Sequence, residues 1–205
     1  MTVSPPQAVN HHAGRPGFAG LTGLLAAGVM LVAGRSRAHL IVEVASVADT
    51  DRVVDVGCGP GSAVRAAARR GARVTGVEPA SVMRGLARLI TRDDPRVAWL
   101  AGVAEDMRLP DGSATVIWSV ATVHHWKDVR AGLAEVKRVL ASHGRFLVIE
   151  RCVHAGAKGL SSHGWTEQQA ASFAAQCRAV GLESVSIEQH ATGRHKVWVV
   201  RAVRP

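Results

Sequence analysis

The sequence predicts an α/β fold, a mostly parallel sheet with helices on both faces and an antiparallel hairpin at its C-terminal end. Three observations carry this. Short apolar runs alternate with longer stretches of helical period, the pattern of a sheet built through crossover helices. The first run, 52–55, enters a loop with glycine at 57, 59 and 61 and leaves it as a helical run. The last two runs, 183–188 and 196–201, are separated only by residues 189–195, too few for a crossover helix.

Residues 1–15 are polar, with Pro5, Pro6 and paired His11-His12, and are predicted to be a flexible N-terminus. Residues 16–34 carry no charge between Arg15 and Arg35, close to membrane-spanning length. Pro16, Gly17, Gly20, Gly23 and Gly28 interrupt this run, and Gly34-Arg35-Ser36-Arg37 is a poor export-signal end. We read 21–32 as an apolar lid helix over the ligand site, with peripheral membrane contact as the second reading. Leu40, Val44 and Val47 form another helical face, closed by Asp49-Thr50-Asp51. The β-branched run 52–55 suits a buried parallel strand. From Ser62 a helical run with Val64, Ala67 and Ala68 continues to Gly71.

A second strand, 73–77, ends at Glu78. Pro79 and Ser81 start a helix with Val82, Leu86, Leu89 and Ile90 on one face. Strands follow at 97–101 and 114–120. Asp128 caps a helix whose face is Val129, Leu133, Val136 and Leu140 and which His143-Gly144 ends. The fifth strand is 145–150. Thr166 and Gln169 form a capping box for a helix with Ala170, Phe173, Ala174 and Cys177 inward, stopped at Gly181. The organisation is one domain over 16–205, with N-terminal lid helices in 16–48 and a core over 52–201.

Net charge is +9 over 205 residues, which by itself suggests an anionic partner. However, 21 of the 25 basic residues are arginine, scattered along a chain without tyrosine, and no basic run is interleaved with aromatics. This argues against nucleic acid. The three cysteines, Cys58, Cys152 and Cys177, form no paired spacing, which points to a reducing, cytoplasmic compartment.

Residues 53–61 read Val-Val-Asp-Val-Gly-Cys-Gly-Pro-Gly. The third glycine comes one place too early for the dinucleotide pattern G-x-G-x-x-G. Asp55 would repel a pyrophosphate and suits a cationic ligand. The stretch resembles motif hhDhGCGxG of the class I S-adenosylmethionine-dependent methyltransferases, in particular their type 11 small-molecule group, and the resemblance extends over about 52–201. It implies a Rossmann-like, seven-stranded sheet whose last strand runs against the others. It also implies S-adenosylmethionine as cofactor, S-adenosylhomocysteine as product, and in-line methyl transfer to O or N of a small-molecule acceptor.

The same resemblance implies residue roles. Asp55 reaches the methionine amino end, and Gly57 and Gly59 offer backbone to the methionine moiety. Cys58 is a small side chain in the loop with no nucleophilic role. Glu78, 21 residues after Gly57, matches motif hhGhE and accepts hydrogen bonds from ribose hydroxyls. Pro79 and Met83 cover adenine. Ala104 and Glu105 lie in 102–110, which resembles the adenine-framing G-D-A-E-x-L-P-F loop. Ser119, near the end of the fourth strand, completes the cofactor set. Val103 departs from the family pattern where an acid is usual, and Thr115 likewise replaces an acid.

Chemistry in an open parallel sheet sits beyond the C-terminal strand ends. Here the fourth strand runs into His124-His125-Trp126, similar to the H-H-W element of small-molecule methyltransferases. The Asn/Asp-Pro-Pro-aromatic motif of base-amine methylation is absent, which disfavours base amines as acceptors. His125, with His124 beside it, is the candidate base or acceptor contact, weighed against structural packing. His154, His163, His190 and His195 belong to the expected acceptor wall, but without H-x-x-x-H or an acid cluster no metal site is expected. Trp126 and Trp165 line an apolar pocket or the core. The segment from Glu135 to Arg145 resembles E-x-x-R-V-L-x-x-G-G, a structural element. Two alternatives stand: an RNA methyltransferase, favoured by charge, and a cofactor-binding regulatory protein without turnover, suggested by Val103 and Thr115. A lipid acceptor stays open.

Overall fold

The structure, a computed structural model, describes residues 8–12, 34–91, 94–193 and 195–205. The lid helix and the membrane reading expected over 21–32 lie outside the described residues. Among the described residues no helix is long and apolar enough to cross a membrane.

The elements in chain order are α1 (Arg35–Val44), β1 (Arg52–Val56), α2 (Ser62–Ala68), β2 (Arg73–Val77), α3 (Ser81–Thr91), β3 (Val97–Leu100) and β4 (Ala114–Val120). They continue with α4 (Val129–Val139), β5 (Leu140–Arg151), α5 (Glu167–Ala179), β6 (Glu183–Thr192) and β7 (His195–Val203). The strands form one seven-stranded sheet in the order β3-β2-β1-β4-β5-β7-β6. The pairs β3-β2, β2-β1, β1-β4 and β4-β5 are parallel, while β5-β7 and β7-β6 are antiparallel. The hairpin forms as expected, but its strands extend to Thr192 and from His195 rather than leaving 189–195 as a loop, and Gly193 takes a φ of 57° in the turn between them.

Two apolar layers cover the sheet. On one face α1 and α2 bury Ile41, Val64 and Ala67 against Trp118 and Ile149. On the other, α4 and α5 bury Leu133, Val136 and Phe173 against Ile117 and Phe146. Asp128 Oδ1 accepts the amide of Ala131 at the start of α4, and the Thr166–Gln169 capping box opens α5. The inward residues of α5 include the four expected from its spacing.

Three local expectations differ. The face of α1 is Ala38, Ile41 and Val42, not Leu40 and Val44, which pack only partly, because alanines on α1 and α2 let the two helices approach closely. In α3 the buried residues are Met83 and Ala87, while Leu89 is 63% exposed and Ile90 39%. Arg84 Nη1 donates to the carbonyls of Glu78 and Pro79 at 2.6 and 2.7 Å and sets that rotation. Helix α4 ends at Val139 and β5 begins at Leu140, five residues before the expected start. Leu140 pairs with Ala114, and the Arg204 guanidinium caps the carbonyls of Arg138 and Leu140.

Residues 8–12 are held rather than loose. Trp165 Nε1 donates to Val9 O at 2.9 Å, Gln169 Nε2 to Ala8 O at 2.9 Å and Asn10 Nδ2 to Trp126 O at 3.0 Å. Each donor belongs to, or each acceptor is, a group that would otherwise be buried without a partner, a condition local sequence does not reveal.

Candidate active site

The C-terminal ends of β1, β2, β4 and β5 converge. After β1 the chain turns through Gly57 and Gly61, with φ of 72° and 81°. A Cβ on Gly57 would lie 2.7 Å from Thr122 Oγ1, and one on Gly61 2.3 Å from the Trp99 ring, so both positions exclude any side chain. Thr122 Oγ1 donates to Val56 O at 3.0 Å and accepts from Ser119 Oγ, which ties the end of β4 to the glycine loop.

Glu78 closes the loop from the β2 side. Its Oε2 accepts the Gly59 amide at 3.0 Å and its Oε1 the Ala80 amide at 2.9 Å. A carboxylate has about four acceptor directions, so two remain for ligand hydroxyls. Burial pushes the Glu78 carboxyl up, and the two amides partly offset this. Asp55 is 2% exposed on β1, and burial raises its pKa to about 7. The Trp118 indole favours its ionised form without reaching hydrogen-bond geometry, and the Glu78 charge disfavours that form. Burial and the nearby Asp55 and Glu78 push the Cys58 thiol well up, which suits an inert loop residue.

The other expected cofactor residues lie in the segments that follow β2 and β3. Pro79 is exposed directly after β2, while Met83 is buried on α3. Ala104 is buried near Gly132 of α4, and Glu105 Oε1 accepts the Asp128 amide at 2.9 Å, an additional contact at the start of α4. Val103 is 37% exposed and bridges to Asp106. Thr115 sits at the opposite end of β4, where its hydroxyl donates to Asp51 Oδ1 at 2.7 Å. Arg145 Nη2 reaches the other Asp51 oxygen at 2.8 Å, so the replacement at Thr115 belongs to a structural bridge.

His124 and His125 form a 3-10 turn beyond β4, Val123–His125. His124 is 2% exposed, and its Nδ1 lies 3.0 and 2.9 Å from the two oxygens of fully buried Glu150 at the end of β5. A carboxylate only accepts, so Nδ1 carries the proton and Nε2 is the nitrogen on the other side of the ring. Arg37 of α1 senses the Glu150 charge, although burial is the larger influence and pulls its guanidinium down. His125 is more exposed, and the nearby His12 main chain favours its protonated form. Desolvation, then the neighbouring His124, lower the His125 pKa to about 4. This is a weaker base than the ordinary imidazole the sequence suggests.

Of the other four histidines, His163 joins this group, while His190 pairs with Glu188 in the hairpin and His154 and His195 are exposed. The chain also brings in His12, which sequence reasoning left in a loose terminus, and Glu150, which it left as a strand end. The polar-in-apolar run Val148-Ile149-Glu150 was the available signal for the latter. Trp126 and Trp165 are buried core residues.

Residues 54–148 match the family described as a methyltransferase domain. Over that stretch the chain is similar to methyltransferase domains. Among curated proteins, it is 31% identical over 113 residues to the uncharacterized methyltransferase YcgJ of Bacillus subtilis, covering 54% of this chain and 45% of that one. It is 27% identical over 168 residues to the 27-O-demethylrifamycin SV methyltransferase of Amycolatopsis mediterranei, covering 75% and 62%. The chain thus spans about half the length of the curated relatives it matches. The crystal structure of a SAM dependent methyltransferase from Aquifex aeolicus superposes with a TM-score of 0.70 at 16% identity, over 82% of this chain and 89% of that one. This likeness concerns the methyltransferase fold. The residues present in this domain fit the cofactor: a side-chain-free turn, a strand-end carboxylate with acceptor capacity, and a buried acid suited to a cation.

Proposed function

We propose that this chain transfers the methyl group of S-adenosylmethionine to an oxygen or nitrogen of a small-molecule acceptor. The observation that carries the reading is the convergence of the Gly57–Gly61 turn, Glu78 and Asp55 at one sheet end, with the His124–Glu150 pair at the neighbouring strand ends. The curated relative that acts on a demethylrifamycin supports a small molecule as acceptor.

In this reading Glu78 holds ribose hydroxyls, the Gly57 and Gly59 backbone approaches the methionine portion, and Asp55 faces its ammonium. Pro79, Met83 and Ala104 bound the adenine, with Glu105 and Ser119 at the margins. The bound cofactor supplies an electrophilic methyl on a cationic sulfur. Placing the acceptor lone pair in line with that methyl is the main contribution of the protein. The acceptor atom gains the bond to carbon, the sulfur keeps the electron pair of the broken bond, and the acceptor's proton leaves to His124, backed by Glu150. His125 contacts the acceptor. Three free cysteines suit a cytoplasmic setting.

RNA as acceptor is the second reading. It draws on the cleft lined by Arg35, Arg65 and Arg69, where burial and the two neighbouring arginines lower the Arg65 pKa.

Calorimetric titration with S-adenosylmethionine and S-adenosylhomocysteine, with Asp55→Ala as control, tests the cofactor half. Methyl-labelled cofactor offered with phenols, quinols, macrocyclic alcohols and tRNA tests the acceptor half. Binding lost in the variant, with label on a small molecule, is the expected result. Absence of binding overturns the reading, and label on tRNA moves the second one forward.

A further inference from the structure

Among the described residues, His12, His124, His125 and His163 each offer a ring nitrogen, and these four atoms all lie within 4.8 Å of one another. The six distances between ring centroids run from 4.2 to 5.7 Å. A tetrahedral ion with nitrogens at about 2.0–2.1 Å places its imidazole centroids about 5 Å apart. The cluster therefore has nearly the dimensions of a four-histidine centre and needs up to about 1.5 Å of contraction at the nitrogens.

We propose that these four histidines bind a divalent transition-metal ion, zinc in the first instance, at the ends of β4 and β5. Four imidazoles suit zinc, iron, nickel or copper and disfavour magnesium and calcium, which take oxygen ligands. The Glu150 contact is the second, independent observation. Metal-bound histidines characteristically donate their other ring N–H to a carboxylate, and His124 does so through Nδ1, which turns Nε2 toward the cluster. His12 is oriented by Ser162 Oγ, 3.3 Å from its Nε2.

The ligands come from three separate segments: 8–12, the turn after β4, and the stretch before α5. The ion would fasten the N-terminal segment to the sheet. The amide of His12 already donates to His124 O at 2.9 Å along the same seam. The binding claim does not depend on the methyl-transfer reading. If both hold, His124 is a ligand, all four positions of the ion are taken by histidines, and the ion would fasten the N-terminal segment rather than bind the acceptor.

The test uses the full chain without a histidine tag and without metal-affinity resin. Elemental analysis after dialysis, and Zn²⁺ titration against a chromophoric chelator, should give about one ion per chain. His163→Gln and His12→Gln should abolish stoichiometric binding, Glu150→Gln should weaken it about 10- to 100-fold, and His143→Asn, at the other end of β5, should leave it unchanged. Circular dichroism checks that each variant folds. X-ray absorption at the zinc edge on the unmodified chain is independent of any variant and should show only nitrogen or oxygen neighbours with the histidine outer-shell pattern. A chain that takes up no zinc, uptake unaffected in folded His163→Gln and His12→Gln, or sulfur in the first shell overturns the proposal.

Discussion

His124 Nδ1 and Glu150 Oε2 meet at 2.9 Å in a site where the histidine is 2% exposed and the glutamate fully buried. They come from the ends of adjacent parallel strands, 26 residues apart in sequence. A buried carboxylate is costly unless its oxygens are satisfied, and here both face the same ring nitrogen. Glu150→Ala should therefore leave the imidazole N–H buried without its partner. We expect a loss of about 1–3 kcal/mol in urea unfolding, with a smaller loss for Glu150→Gln, whose amide oxygen still accepts. Equal stability of Glu150→Ala and wild type would remove the pair from the account.

Glu78 joins the glycine loop to β2 and keeps acceptor capacity for a ligand. Glu78→Ala should weaken S-adenosylhomocysteine binding by about 10- to 100-fold, corresponding to about 1.5–3 kcal/mol for charge-assisted hydrogen bonds. Titration calorimetry reads this directly, and unchanged affinity would exclude Glu78 from the site.

Asp55 links binding to pH. Its pKa of about 7 lies above its unfolded value of about 3.9. Between these values the native state holds more protons than the unfolded chain, so Asp55 contributes stability that is complete below about pH 4 and lost as pH rises to about 7. A cationic ligand favours the ionised form. Affinity for S-adenosylmethionine should accordingly increase from pH 6 to pH 8, and binding near pH 7 should release a proton. Glu78, also raised, acts in the same direction. Calorimetry in buffers of different ionisation enthalpy measures the proton release, and Asp55→Asn should abolish most of it.

Gly61 has a φ of 81° and the Trp99 ring where a Cβ would stand. Gly61→Ala should cost about 2 kcal/mol or more through left-handed strain and overpacking. Adding Trp99→Leu should recover the overpacking part and leave the strain. Thermal unfolding of the single and double variants separates the two contributions, and a neutral single variant contradicts the geometry.

Thr115 distinguishes a degraded site from an intact one. Thr115→Ala removes the hydroxyl shared by Asp51 and the Arg52 amide. We expect it to reduce stability by about 1–2 kcal/mol while cofactor affinity stays within twofold. A large loss of affinity would revive the regulatory reading that this replacement first suggested.

The strands, the glycine loop, the capping residues Asp128 and Thr166, and the inward face of α5 were legible in the sequence. Each depends on contacts within a few residues: apolar period, turn conformation or a cap reaching three residues ahead. The burial of Met83 and Ala87 was not legible, because the hydrogen bonds of Arg84 to the preceding loop rotate α3 away from its most apolar face. Nor was the junction at Leu140, which depends on Ala114 and Arg204.

The nature of the fold and the succession of glycine turn and strand-end acid were determined by the sequence alone, because the strand, the turn and the strand-end acid are consecutive features of one chain segment. The histidine end was decided only by the tertiary structure. His12, His124, Glu150 and His163 are separated by up to 151 positions, and no local period relates them. They meet because parallel order places β4 beside β5 and because Val9, Trp165 and Gln169 draw the N-terminal segment across the strand ends. Long-range satisfaction of buried polar groups, rather than any propensity along the chain, assembles that end of the site.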